Sequence, residues 1–256
     1  MTESQPAKAK ETAPRELIHI TLPVGLLQCN CTIIGDPLTR EALVIDPGDE
    51  VTRIMGLLGR HKLTVKAIVS THAHIDHVGG LSKLHRYTGA PVLMHPEDLP
   101  LYQAMEMQAA FLGVAAPEIT SIDNLLKEGD TLRWGDYQAH IIHTPGHTPG
   151  SVCLYVPREA GTVTLVAPQL FAGDTLFAGS IGRTDLWGGS MSQIMDSLRG
   201  KLLQLPDSTV VYPGHGPATT IGTERHSNPF LIAQLFLENA NFLSRFLVVD
   251  QFPVPR

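Results

Sequence analysis

Hydrophobic and polar positions alternate in short blocks along most of this chain. Runs rich in Val, Ile and Leu, bounded by Gly, Pro or Asp, predict strands at Leu17–Thr21, Cys31–Ile34, Ala42–Ile45, Val65–Ser70 and Val92–His95. Between them, apolar residues at three- and four-residue spacing predict helices over Glu50–Arg60 and His77–Thr88. A longer helix is expected from Pro96 to about Phe111, with Pro in its first turn and acidic residues just after it. The second half repeats the theme. Strands are expected at Thr131–Trp134, Tyr137–Ile142, Val152–Val156, Thr162–Ala167 and Thr209–Tyr212, and helices at Ser192–Leu205 and from about Asn228 to Leu247. Two comparable halves of mixed strands and helices suggest two sheets stacked face to face with helices outside. Propensity alone does not separate this from a doubly wound single sheet.

Composition narrows the picture. Hydrophobic residues make up 43% of the 256 and charged residues 17%, which favours a packed core over disorder. A formal charge of −6 gives no electrostatic reason to expect a nucleic-acid partner. No apolar stretch is long and unbroken enough to cross a bilayer, so no membrane partner is expected. The polar N-terminal stretch has no apolar core of a secretory signal and reads as a disordered leader over residues 1–16. Three cysteines, Cys29, Cys31 and Cys153, do not make a disulfide framework and fit a reducing cytoplasm, with Cys29 and Cys31 as small buried side chains of a strand.

The chemistry concentrates at residues 71–80, Thr-His-Ala-His-Ile-Asp-His-Val-Gly-Gly. Three imidazoles and a carboxylate fall between His72 and His77. Each needs a partner if buried, and together they suit zinc, iron or manganese. The run follows the apolar strand Val65–Ser70. In extended chain, residues two apart point the same way, so His72 and His74 can reach one ion. Asp76 and His77 lie where the chain turns into a helix and can face a second. His147 sits between two Thr-Pro-Gly turns, Asp174 ends a strand-like run, His215 lies in Pro-Gly-His-Gly after another strand, and Asp46 ends a further one. Seven candidate ligands, His72, His74, Asp76, His77, His147, Asp174 and His215, divide between two divalent ions. His143 reads as a supporting or structural residue, and His19, His61, His85, His95, His140 and His226 as background.

This pattern, His-x-His-x-Asp-His followed by His147, Asp174 and His215, resembles the metal-binding set of the metallo-β-lactamase superfamily over about residues 17–217. Thr-Pro-Gly-His-Thr-Pro-Gly-Ser and Gly-Asp-Thr-Leu-Phe are similar to short, single-domain glyoxalase II-like hydrolases. The resemblance implies an α/β fold, a four-layer αββα sandwich with the metal site at one edge of the two sheets. It implies that His72, His74 and His147 hold one ion, that Asp76, His77 and His215 hold the other, and that Asp174 bridges. The implied activity is hydrolysis of a small acyl-thioester such as S-lactoylglutathione. Two cations sharing a water lower its pKa from about 15.7 to near 7, and the resulting bridging hydroxide attacks the carbonyl. Asp76 and Asp174 are the catalytic candidates, Asp76 orienting the hydroxide. The alternative on the same scaffold is a mononuclear iron persulfide dioxygenase using His72, His147 and Asp174, whose family shares a Gly-Arg-Thr-Asp loop like that at 182–185.

By the same resemblance Arg183 is the candidate substrate anchor, with an ion pair to Asp185 as the competing role. Asp185 departs from the family, which usually carries an aromatic hydroxyl there. The chain departs again after Pro217, where about forty residues replace a full helical domain. Residues 17–217 thus read as the catalytic domain and 218–256 as a C-terminal helical extension. The apolar face around Phe230 to Leu247 is expected to pack on its own domain, with a homodimer contact as the second option.

Overall fold

The computed structural model describes residues 16–160 and 163–232. The expected leader lies outside them except for Glu16, as does the extension beyond Ile232.

The first half builds a six-stranded sheet in chain order: β1 (Ile18–Val24), β2 (Cys29–Gly35), β3 (Glu41–Ile45), β4 (Thr64–Val69), β5 (Val92–Met94) and β6 (Asn124–Leu125). β1 to β3 pair antiparallel, and β3 to β6 pair parallel. The parallel links are made by α1 (Val51–Arg60), by α2 (Ile75–Val78) with α3 (Leu81–Thr88), and by α4 (Leu99–Gln103) with α5 (Met105–Leu112). The second half contributes β7 (Thr131–Trp134), β8 (Tyr137–His143), β9 (Val152–Val156), the short pair β10 (Glu159–Ala160) and β11 (Val163–Thr164), β12 (Gln169–Gly173), the pair β13 (Leu176–Phe177) and β14 (Ser180–Ile181), α6 (Met191–Gly200), β15 (Val210–Pro213), β16 (Thr219–Thr220) and α7 (Ile221–Ser227). Its main sheet runs β16-β15-β12-β9-β8-β7.

The two-residue period of the strands sorts side chains into layers. In β3, Leu43 and Ile45 point into a core shared with Trp134, Ala139, Ile141 and Leu154 of the second sheet. Ala42 and Val44 point the other way, into a core with Ile54 and Leu58 of α1 and Leu81 and Leu84 of α3. Behind the second sheet, Leu170, Ala172 and Val211 pack on Ile194 and Leu198 of α6. Three cores between four layers make the αββα sandwich. Among the described residues no helix is long and apolar enough to cross a membrane.

Four elements differ from the periodicity, one of them the helix expected over Ser192–Leu205, which is α6 and a 3₁₀ turn over Leu202–Gln204 divided at Lys201. The helix expected over His77–Thr88 is two, α2 and α3, separated by Gly79 and Gly80. Gly80 donates its N–H to the Pro47 carbonyl at 2.9 Å, and a Cβ there would lie 2.2 Å from that oxygen. The glycine pair lets the turn after β3 press against the ligand run. The helix expected from Pro96 to Phe111 is a 3₁₀ turn over Pro96–Asp98 followed by α4 and α5, broken where Ala104 leaves helical geometry at φ −91°, ψ 27°. The strand expected at Thr162–Ala167 is instead the edge of the β10–β11 pair, with residues 161–162 outside the described residues. The sheet strand is β12, which starts after Pro168, a residue with no N–H to give to a ladder. The chain also forms α7 before the helix expected from Asn228, of which residues 229–232 are described.

At the edge of the sandwich where β2 ends and β8 begins, one carboxylate ties the two halves together. Asp36 is fully buried and accepts N–H bonds from Leu38 and from Asp136 of the β7–β8 turn, both at 2.8 Å. Burial opposes its charge, but those N–H groups outweigh it and hold the carboxyl below its ordinary range. Its folded value is therefore below the unfolded one. Its contribution is present above about pH 4 and is lost as the pH falls through the lower folded value. Asp36→Ala strands both donors and is expected to cost about 2–3 kcal/mol. Denaturant titration at pH 7 measures the loss.

Candidate metal centre

All seven candidate ligands gather at the opposite edge, where β4, β12 and β15 end and the loop between β8 and β9 folds back. His72 and His74 lie on the extended stretch after β4, and Asp76 and His77 lie in α2. His147 occupies the loop before β9, Asp174 follows β12, and His215 follows β15. Their donor atoms form two trios, His72–His74–His147 and Asp76–His77–His215, within each of which the atoms lie no more than 4.8 Å apart.

The rings are aimed from behind. His147 Nδ1 donates to the Arg183 carbonyl at 2.8 Å, and His215 Nδ1 donates to the Leu27 carbonyl at 3.1 Å. His77 Nδ1 donates to Asp46 Oδ2 at 3.0 Å. His72 Nδ1 faces Thr71 Oγ1 at 3.1 Å, and that hydroxyl in turn donates to Asp46 Oδ2 at 2.6 Å. In each ring the proton is spent on Nδ1, so Nε2 presents a lone pair. Those lone pairs then face one another. His72 Nε2 and His147 Nε2 are 3.2 Å apart, as are His77 Nε2 and His215 Nε2. Two lone pairs at that separation repel unless a proton or a metal ion lies between them. It is also the spacing of two imidazole nitrogens on one tetrahedral ion with bonds of about 2.0–2.1 Å.

The remaining donors have the same requirement. His74 Nε2 and Asp174 Oδ1 are buried without a hydrogen-bond partner. Asp174 stands between the trios, with Oδ2 at 3.6 Å from His147 Nε2 and 3.7 Å from His215 Nε2, and Oδ1 at 3.5 Å from His77 Nε2. Gly214 makes room for it, since a Cβ there would lie 2.2 Å from Asp174 Oδ1 and 2.7 Å from the His77 ring.

Burial and mutual repulsion set the charge states. Burial, then the neighbouring imidazoles, drives His72 far below its usual value, and burial with His147 and His77 brings His74 down to about 3. Burial also lowers His147 against the pull of Asp174. These three are neutral, the form that binds metal. Burial opposes charge on His77 and His215 too. There it is outweighed, by Cys29, Asp76 and Asp174 at His77 and by Asp76 and Asp174 at His215. Asp76 is buried yet held well below the carboxylate range, because His77 and His215 more than offset that burial.

Several positioning groups carried no sequence signal. Asp98 is fully buried and accepts from the Ala73 N–H at 2.7 Å, from Thr148 Oγ1 at 2.9 Å and from the Gly150 N–H at 2.6 Å. It clamps the first ligand run to the loop bearing His147. Gln108 accepts from the Ile75 N–H at 3.0 Å and donates to the Ala73 carbonyl at 2.9 Å. Cys29 is buried as expected, but its sulfur lies 3.4 Å from His77 Nδ1, so it also helps to seat that ring. The three cysteines are free. His143 donates to the Pro149 carbonyl at 2.9 Å and stacks on His95 at 4.0 Å, holding the loop base. With Glu97 these two rings form a further trio of potential donors, although His95 Nδ1 already accepts the Glu97 N–H. Arg183 lines the cleft beside Asp174 and pairs with Asp185 through two contacts, 2.7 and 2.9 Å.

Known proteins resemble this chain in sequence and fold to different degrees. The hydroxyacylglutathione hydrolase GloC of Haemophilus influenzae is 35% identical, over 82% of this chain and 96% of its own. The B3 metallo-beta-lactamase BLEG-1 superposes with a TM-score of 0.75 at 36% identity, covering 84% of this chain and 99% of its own. TTHA1623, solved in a di-iron-bound form, superposes with a TM-score of 0.73 at 40% identity, covering 83% of this chain and 100% of its own. The family model of the metallo-beta-lactamase superfamily matches residues 24–215, from the end of β1 to His215, and the chain belongs to that superfamily.

Proposed function

We propose that the protein is a binuclear metal-dependent thioester hydrolase, acting on S-lactoylglutathione or a related small acyl-thioester. The observation that carries this reading is the position of Asp174. Its two oxygens face both trios, so a single carboxylate would serve two ions. His72, His74 and His147 would hold one ion and Asp76, His77 and His215 the other, as zinc, iron or manganese. Bound ions would supply Lewis acidity and an ionised water near neutral pH.

The chain's own groups do the rest. Asp76 is ionised and 14% exposed, next to His215 at 28%, while His72 and His77 are sealed. The open side of the site is therefore the side of Asp76, Asp174 and His215, where a carbonyl can approach. Asp76 orients the nucleophile there by accepting its hydrogen bond. A thiolate leaving group, with an aqueous pKa near 8.5, departs without strong acid help. No Gly-x-Ser-x-Gly elbow occurs in the chain, and this chemistry needs none. The relationship to GloC supports the thioester, and the relationship to a di-iron protein supports the pair of ions.

Metal analysis beside kinetics tests the proposal. Protein loaded separately with zinc, iron and manganese is expected to hold close to two ions per chain and to release thiol from S-lactoylglutathione. Asp174→Ala is expected to bind fewer ions and to lose at least a thousandfold in kcat, with its circular dichroism unchanged. One iron per chain with oxygen uptake on a persulfide would replace this reading with the dioxygenase.

Asp98 provides an independent check on preorganisation. Asp98→Ala leaves the buried Ala73 and Gly150 N–H groups unpaired, while Thr148 keeps its bond to the Ser151 hydroxyl, and is expected to lower stability by about 2–4 kcal/mol. In the fraction that remains folded, metal affinity should fall 10- to 100-fold although no candidate ligand is altered. Chelator competition measures it, and unchanged affinity would show that the clamp does not position the ligands.

A further inference from the structure

Two separate segments bring apolar side chains to the mouth of the site. The turn after β1 presents Leu26 and Leu27, and the end of α5 presents Phe111 and Leu112, with Val114 just beyond. Leu26 is 80% exposed and Phe111 65%, so neither serves the core. Single exposed apolar residues are ordinary, but these cluster on a concave surface. They line two clefts of about 260 Å³ and 220 Å³, and both clefts touch Leu27, Ile75, Asp76 and Leu112. The clefts therefore meet at the open side of the candidate metal centre. Trp187 extends the wall inward. Its ring meets Phe111 edge-on at 5.4 Å and His74 at 5.9 Å, so a continuous apolar surface runs from solvent to an imidazole of the first trio. The turn is anchored as well, since the Leu27 carbonyl holds His215.

Charge on the same surface is sparse and mostly negative. Asp49 and Asp76 line the larger cleft. Among the described residues, Arg183 is the one Lys or Arg that lines either cleft, and its guanidinium is already engaged by Asp185 through two nitrogens. A substrate arm bearing carboxylates or phosphates would give up water against Leu and Phe and meet Asp49 at the outer end of the larger cleft. An uncharged chain would only gain by burial.

Resting on the thioester reading above, we infer that the groove formed by Leu27, Phe111, Leu112 and Trp187 binds an uncharged apolar arm of the substrate. Among the thioesters it hydrolyses, those with a hydrocarbon arm of several carbons are turned over faster than conjugates of glutathione. The arm lies along the groove and places its carbonyl beside Asp76 and Asp174. Each methylene that enters the groove contributes about three- to fourfold in affinity.

Two substrate series test this on the metal-loaded protein. One lengthens the acyl chain from acetyl to octanoyl on N-acetylcysteamine; the other lengthens an alkyl thiol on a fixed acetyl group. In one series kcat/KM is expected to rise about threefold per carbon, mainly through KM, and that series identifies which arm the groove takes. Phe111→Asp is expected to lower kcat/KM for the eight-carbon member at least tenfold and for the shortest member less than twofold, with Phe111→Leu recovering most of the loss. Flat profiles in both series, or S-lactoylglutathione turned over faster than every apolar substrate, overturn the inference. A readout without turnover separates this inference from the hydrolase reading. Trp134 is fully buried, so an emission change on adding the inert thioether S-octyl-N-acetylcysteamine reports Trp187. Saturable binding weakened tenfold by Phe111→Asp upholds the groove even if no thioester is hydrolysed. Absence of binding, or binding indifferent to the substitution, removes it.

Discussion

Everything at this site depends on imidazoles that are held from behind. Backbone carbonyls and Asp46 take the Nδ1 protons, and the opposite nitrogens are left pointing at one another across 3.2 Å. Such an arrangement is unfavourable unless a proton or a metal ion lies between the facing nitrogens, because buried lone pairs have otherwise given up water and found no donor. The surrounding fold must therefore supply the stability that keeps the rings in place. A cation relieves the repulsion and so stabilises the folded chain in proportion to its affinity. Local strain and function are here two aspects of one geometry.

The sandwich supplies that stability through its layers and leaves one edge free. Strand ends on that edge come from both halves of the chain, so neither half can complete the site alone. Asp46 links β3 to the first ligand run through Thr71, Asp98 links that run to the loop bearing His147, and the Leu27 carbonyl links the first hairpin to His215. Most of these links reach the main chain. They fix position more tightly than contacts between side chains would, because the backbone has fewer ways to relax. At the opposite edge, tied by Asp36, the described residues bring no three metal-binding side chains together.

Much of this was legible beforehand, and the reason is local. His72, His74, Asp76 and His77 are close in sequence, and their residue types alone point to a cation. Strands such as Thr131–Trp134 and Val152–Val156 show their period directly and match the structure residue for residue. What stayed hidden depends on distant partners. Asp98 reads as one of the acids in a helix first turn, yet it is fully buried and receives three donors from two other segments. Gln108 sits in a helical pattern and looks like a solvated side chain. The break at Gly79–Gly80 follows from the close approach of Pro47, which no local pattern encodes. The residue type of Arg183 points to a substrate anchor or to an ion pair with Asp185, and the pair is present; the meeting of its carbonyl with His147 is what no residue-type argument can see.

The last turns of α5 carry two jobs on one rigid rod. Gln108 grips the main chain on both sides of His74, and Phe111, one turn further along, forms the outer lip of the cleft. The two jobs fall to different side chains, so the lip can be recut at Phe111 for a bulkier guest while the grip at Gln108, one turn back, keeps its hold on the peptides around His74.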